Sequence, residues 1–404
     1  MCSIRINTFV FENGERYCHV VNKKTGEPLY YPNLYITTQL RNRSESISTM
    51  EVVAGSLSLL YRFLDRRGID IVERITTLQL LSANEIDDLS DFASKNFKDK
   101  NSIDAYYYVK KPTKYFRITV ITAYFEWLCN LLLSSNTKTD LRIIVNTFIS
   151  SLKKKRPADI DRYKTMSFDK GLSEKQLDLV FKNIKPMASG NPFVKEVQNR
   201  NFLIFLLLYS FGIRSGEMLN LRISDIDFYD STICIRRRPN DKSDPRVNQP
   251  LVKTSERKFY VESSLMKMIS DYVIKDRRSV KGAGKNEFLF VTYKKGQTQG
   301  MPLSISSYHK IIKKVRDISP ELVNVTGHKF RHRWNYEFSN AIDSSDSDFS
   351  EAKEEQVRNY IMGWATDSET AKIYNKRHID ETSKKVSIAM QKLIIKGIDN
   401  DAGN

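Results

Sequence analysis

The spacing of apolar positions changes along the chain, and each change predicts a boundary. At the start Ile4, Ile6, Thr8 and Val10 alternate with other residues, Asn13-Gly14 supplies the backbone freedom of a tight hairpin, and Tyr17, His19 and Val21 resume the alternation before Thr25-Gly26. A period of two is that of a strand with one buried face, so this stretch predicts a small β meander ending near Pro32. From about Ser46 to Ser135 the period becomes helical. Met50, Val53, Leu57, Leu60, Tyr61 and Leu64 share one helix face, and Val120, Ala123, Tyr124, Trp127, Leu128 and Leu131 share another. Between them Leu81-Ser-Ala-Asn-Glu85 offers a polar cap for a short helix, and Lys110-Lys-Pro-Thr-Lys114 reads as a basic loop. Leu152-Lys-Lys-Lys-Arg-Pro157, followed by polar residues to Lys170, breaks the pattern as an interdomain linker does.

Beyond the break, Gly171-Leu-Ser-Glu174 caps a new helix, and the apolar run from Phe202 to Tyr209 predicts a buried one. Gly212 stops that helix, and another begins after Arg214. Thr232–Ile235 and Phe259–Val261 read as strands, and the proline-broken Arg236–Arg246 piece between them as a mobile basic loop. His328 and Arg331 lie at a further helix start; Asp343–Ser350 is an acidic, serine-rich insert; Val386, Met390, Leu393 and Ile394 restore a helical period at the end. The pattern predicts a mostly α protein with small β-sheets (α+β). It has a β-rich arm over 1–44, a helical domain over 45–151, a basic linker over 152–170 and a second domain over 171–397.

Composition narrows the partner. Lys plus Arg number 65 against 48 Asp plus Glu, a net charge of +17 over 404 residues, which favours a polyanion such as nucleic acid over a membrane surface. Lys153, Lys154, Lys155 and Arg156 in the linker, with Arg236, Arg237, Arg238, Lys242 and Arg246 in the loop, are placed to follow a phosphate backbone. The four cysteines lack the pairing of a zinc site and read as reduced thiols in a reducing compartment. Asp343, Asp346 and Asp348 lack the glycine and terminal glutamate of a calcium loop, so no metal is expected. Met1 to Glu12 has no secretory pattern, and no apolar run approaches the roughly 20 residues of a membrane span. A cytoplasmic location follows.

The candidate chemistry starts from His328 and Arg331. One helical turn separates them, so an imidazole that moves protons and a guanidinium that grips two oxygens can face one point. Arg214 stands at a helix start, where free backbone N–H groups already favour an anion, and Glu217 is one turn on, able to brace it.

Gly212-x-Arg214-x-x-Glu217-x-x-x-Leu221, a hairpin lysine at Lys253, His328-x-x-Arg331, Met362-Gly-Trp364 and Tyr374, in that order, resemble the signature of the tyrosine recombinase, or phage integrase, superfamily. The resemblance covers the chain from about Leu172 to Ile395 and, less specifically, the helical domain before it. It implies that Arg214 and Arg331 clamp a scissile DNA phosphate and that Tyr374 attacks it, leaving a covalent 3′-phosphotyrosyl link with no metal or nucleotide cofactor. It also implies that Lys253 protonates the departing 5′ oxygen and that His328 shuttles the tyrosine proton or holds a phosphate oxygen, with His332 packing behind. Trp364 occupies a place where many members have histidine; it can donate one hydrogen bond but cannot move a proton, and a core role competes with that reading. The separation 374 − 364 = 10 is one residue longer than the family pattern, which keeps Tyr360 as a second candidate nucleophile.

The resemblance further implies double-stranded DNA as partner and a homotetramer on two sites, with the C-terminal helix exchanged between protomers and accessory DNA-bending or directionality proteins. A type IB topoisomerase-like nicking and closing enzyme and a non-catalytic DNA-binding protein of the same fold are the alternatives at this stage.

Overall fold

The structure is a computed structural model that describes residues 4–97, 108–133, 139–158, 171–252, 254–343 and 351–364. Lys253 and Tyr374 lie outside the described residues, as do the acidic insert from 344 to 350 and the tail. The chain divides into two compact units, Met1–Met166 and Ser167–Asn404, mostly helical with two small antiparallel sheets. This is the α+β architecture expected from the apolar periods.

In the first unit β1 (Ile4–Val10) and β2 (Arg16–Asn22) pair antiparallel from Ile4↔Asn22 to Val10↔Arg16. The turn is held by the Asn13 side chain, which accepts from the Glu15 amide at 2.9 Å. A third segment continues the meander as a short bridge: Val21 pairs antiparallel with Pro28, the Asn22 amide donates to the Glu27 carbonyl and the Leu29 amide to the Val20 carbonyl, both at 2.9 Å. α1 (Tyr30–Tyr35), a π-helical turn (Ile36–Leu40) and a 3-10 turn (Arg41–Arg43) follow. Beyond the bridge a side chain takes over the edge of β2, Asn33 accepting from the Val20 amide and donating to the Val20 carbonyl, both at 2.8 Å. Pro32 falls in the first turn of α1, where its missing N–H leaves no bond unmade.

The rest of this unit is α2 (Ile47–Arg67), α3 (Ile71–Thr76), α4 (Ala83–Ser94), α5 (Lys111–Leu132) and α6 (Thr139–Lys154). Ser46 caps α2, and Ser82 with Glu85 forms a capping box on α4, which supplies two otherwise orphaned amides with acceptors. Met50, Val53, Leu57, Leu60 and Leu64 are buried as their spacing predicts, and Val120, Tyr124 and Leu128 meet them from α5. Ala123 and Leu131 instead face solvent, and Ile121 and Phe125 fill the core in their place. Lys111–Lys114, expected as loop, is the first turn of α5, with proline at a position that needs no amide. The basic run is a correction too. Leu152 is buried in this core, α6 continues to Lys154, Lys155 pairs with Asp87, and Arg156 lies 5.6 Å above the Tyr115 ring. These residues close the first unit rather than link it to the next. α2 is the one helix, among the described residues, long and apolar enough to cross a membrane, and its apolar face is packed inside this core.

The second unit contains α7 (Glu174–Ile184), α8 (Lys195–Phe211) and α9 (Ser215–Asn220). A three-stranded sheet of β3 (Ile226–Asp227), β4 (Thr232–Ile235) and β5 (Arg257–Tyr260) follows, and then α10 (Ser263–Asp271), α11 (Ile305–Arg316), α12 (Gly327–Asp343) and α13 (Glu351–Met362). Leu203, Ile204, Phe205, Leu207 and Leu208 make α8 the buried axis of the unit, and Phe330 of α12 packs against it. β4 pairs with β5 from Thr232↔Tyr260 to Ile235↔Arg257, so Arg257 and Phe259 point inward while Lys258 and Tyr260 are exposed.

Candidate active site

Three chain reversals meet around two arginines. α8 ends at Gly212 with φ +56°, and a Cβ there would lie 2.9 Å from the Trp334 ring and 3.0 Å from Met362 Cε. Only glycine meets both demands, a left-handed backbone and no side chain. Arg214 then becomes the N-cap of α9 in extended geometry, so its side chain leaves the turn beside unpaired amides. It is partly exposed, and its Nη1 has no hydrogen-bond partner.

Glu217 braces it from behind. The carboxylate is fully buried; it accepts from the Arg214 amide at 3.0 Å, from Thr254 Oγ1 at 2.6 Å and from Arg257 Nη2 at 2.7 Å, with Arg214 Nη1 a further 3.6 Å away. Burial pushes this carboxyl up, but the Arg257 charge and the three hydrogen bonds outweigh it and hold the group below its ordinary value of 4.5. It stays ionised and keeps the Arg214 loop fixed.

Arg331 enters from the second turn of α12. It is buried, donating to the Gly212 carbonyl at 2.8 Å and to the Met362 carbonyl at 2.9 Å, with its guanidinium 5.4 Å from the Trp364 ring centroid. The structure thus brings Arg331 to the backbone two residues before Arg214 and to the turn of Met362-Gly-Trp364. Trp364 is buried and anchors that turn, its amide donating to the Asn359 carbonyl at 2.9 Å. His328 is exposed on the first turn of α12 and meets the His332 ring edge-on at 4.6 Å. Tyr360 is exposed on α13.

Arg257 is the residue that sequence reading missed. It is buried; besides Glu217 it donates to Thr254 Oγ1 at 2.9 Å and to the Ile361 carbonyl at 2.6 Å. One side chain thereby joins the carboxylate behind Arg214, the residue following Lys253, and the turn that holds Trp364. The signal was available: Arg257 shares the inward parity of Phe259, and a charge in an inward strand position needs a buried partner.

The loop from Arg236 to Arg246 differs from its expectation. Arg222 pairs with Asp241 and reaches Ser243 at 2.9 Å, Arg238 donates to Asp225 at 3.1 Å, and Arg236 is 3.6 Å from Asp225. The loop is tied down by ion pairs. Arg246, expected to face DNA, is buried, holding Asp244 through Nε and Nη2 and the carbonyls of Leu219 and Leu303 through Nη1. A guanidinium occupied in this way is a structural tie. Arg237 and Lys242 are exposed here, and so are Lys153 and Lys154 on α6. Among the described residues no group of three or more His, Cys, Asp or Glu side chains is arranged to hold a metal.

A mostly helical unit with a small antiparallel sheet, two arginines tied to one glycine turn, and a carboxylate behind them define the catalytic fold of a tyrosine recombinase. The chain belongs to the phage integrase family, whose model matches residues 171–381, just over half of it. Among curated proteins it is similar to "Transposase A from transposon Tn554" of Staphylococcus aureus, 23% identical over 314 residues, covering 75% of this chain and 78% of the relative. It is 26% identical over 159 residues to a "Tyrosine recombinase" of Agathobacter rectalis, covering 39% of this chain and 44% of the relative. Among solved structures it shares the fold of the Tn1549 transposon integrase in complex with transposon right end DNA. That likeness has a TM-score of 0.50 and 16% identity, over 89% of this chain and 99% of the other.

Proposed function

We propose that this protein is a site-specific recombinase of a mobile element, acting in the cytoplasm on double-stranded DNA through a covalent 3′-phosphotyrosyl intermediate formed by Tyr374. The observation that carries the reading is Arg214: a guanidinium at a helix start, braced by a buried carboxylate and with its side chain partly exposed. That arrangement supplies a fixed cation where negative charge grows on phosphorus, which stabilises the transition state more than the ground state. Arg331, bound to the Gly212 and Met362 carbonyls, fixes the reversals on either side of the reacting phosphate.

In the step itself the Tyr374 oxygen forms a bond to phosphorus and the bond to the 5′ oxygen breaks. The phenolic proton passes toward His328, and the leaving oxygen takes a proton from Lys253. The phosphotyrosyl ester keeps the bond energy, so a 5′ hydroxyl from either strand can reverse the step and religate. Exposed Lys153, Lys154, Arg237 and Lys242 add sequence-independent phosphate contacts. The same reading has four protomers on two DNA sites, residues 379–395 exchanged between neighbours, and accessory proteins setting direction.

The test is a library of nicked duplexes with randomised sequence around the nick, which traps the covalent step because the short cleaved fragment diffuses away. Wild type and Tyr360→Phe should become attached to DNA, and Tyr374→Phe should not. Wild-type protein that binds DNA but never becomes attached overturns the enzymatic reading.

A further inference from the structure

We infer that Arg257 is a positioning residue for leaving-group protonation, through a buried lock that sets the Lys253 end of the hairpin against the Arg214 turn. The inference rests on the function proposed above and goes further by assigning a role to a residue outside the family signature.

The geometry behind it is a closed set of bonds. Arg257 divides its donors among three segments distant in sequence: Glu217 on α9, Thr254 at the foot of β5, and the Ile361 carbonyl at the end of α13. Thr254 closes the set by donating to the other Glu217 oxygen at 2.6 Å. A further tie joins the same two segments, the Ser255 amide donating to the Gly363 carbonyl at 3.2 Å. The fit leaves no slack. Gly363 has φ +63°, and a Cβ on it would lie 2.8 Å from Thr254 Cβ and 2.9 Å from Arg257 Nη1.

The consequence follows from connectivity. Lys253 precedes Thr254 by one peptide, so fixing Thr254 by both its hydroxyl bonds limits where the lysine stem can begin. An ammonium on four flexible carbons gains precision mainly from its backbone anchor, and proton transfer demands hydrogen-bond reach to the departing oxygen. Glu217 is shared between this lock and the Arg214 loop. Loss of Arg257 therefore leaves the hairpin joined to Glu217 by the Thr254 hydroxyl alone, a single rotatable bond in place of a closed set, while Glu217 still holds the Arg214 amide.

A substrate that does not need the proton separates this role from mere structural support. In the duplex recovered from the nicked library, replacing the bridging 5′ oxygen at the cleaved phosphodiester by sulfur gives a thiolate leaving group, which departs without protonation. Arg257→Met should slow covalent attachment to the oxygen duplex by about 100-fold, the scale of a misplaced general acid, and attachment to the sulfur duplex by less than about 5-fold. Lys253→Ala should show the same pattern, and Arg214→Ala should lose both substrates alike. Thr254→Val, which keeps shape but removes the hydroxyl, covers the case in which Arg257→Met does not fold; it should slow the oxygen duplex about 10-fold and spare the sulfur one. Equal loss on both duplexes, or no loss on either, in whichever variant folds overturns the inference. A wild type that attaches to neither duplex instead overturns the proposed function.

Discussion

The two units solve the same packing problem by different means. The core of the first is aliphatic and aromatic, and Arg16 is its one buried charged residue among those described. The second buries Arg200, Arg246, Arg257, Arg277, Arg331 and Arg358. Each of these six donates to backbone carbonyls of another segment: Arg200 to Val291, Arg246 to Leu219 and Leu303, Arg257 to Ile361, Arg277 to Phe288, Ala283 and Asn286, Arg331 to Gly212 and Met362, and Arg358 to Asn335. Loops that carry chemistry cannot satisfy their carbonyls in a ladder. A guanidinium with five donors in a rigid fork satisfies two or three at once and fixes the loop as it does so. The cost is buried charge, which is why Glu217, Asp244 and Glu354 are buried beside Arg257, Arg246 and Arg358.

The contrast can be broken at its strongest point. Arg246→Met leaves Asp244 buried without its cation and should lower the stability of the second unit by about 3–5 kcal/mol in denaturant unfolding. DNA affinity of the folded fraction, and its salt dependence, should stay as in wild type; a drop in salt slope of about one would show that Arg246 contacts phosphate after all. A smaller effect should come from Glu217. Its carboxyl is held below 4.5, so its contribution is fully present above that pH and is lost as pH falls through the depressed folded value. The unfolding temperature of wild type relative to Glu217→Gln should therefore be flat near neutrality and converge below pH 4.5, and convergence on raising the pH instead would contradict the assignment. At the small end, Ile121→Val in the first unit removes one methylene from an apolar core and should cost about 0.5–1.5 kcal/mol. The rate of covalent attachment at saturating DNA should be unchanged.

Much of this was legible in the chain, for a physical reason in each case. Helices with one buried stripe announced themselves, as with Met50 to Leu64, because burial imposes a period. The local placement of Arg214 and Glu217 was legible because glycine and cap positions fix where a helix starts: Arg214 stands at the start of α9 and Glu217 accepts from its amide. What failed was the reading of charge. Sequence reports that a residue is basic but not whether its donors are already occupied, so Arg246 looked like a DNA contact and Arg257 went unnoticed. The basic run at Lys153–Arg156 looked like a linker for the same reason; the buried neighbour Leu152 and the Asp87 partner of Lys155 lie in other helical contacts. The meander expected to end near Pro32 keeps its third segment only as a short bridge at Pro28, because a proline has no amide to continue the ladder and the Asn33 side chain takes the next groups on the β2 edge.

The most direct test of the account is to locate the covalent bond. Wild-type protein trapped on the nicked duplex, digested and sequenced by mass spectrometry, should carry its nucleotide on Tyr374, in the stretch Ile373-Tyr-Asn-Lys376, and Arg214→Ala should reduce the yield by about 100- to 1,000-fold. A nucleotide on Tyr360 or on another side chain, or a yield indifferent to Arg214, would contradict the claim that these residues serve one phosphodiester.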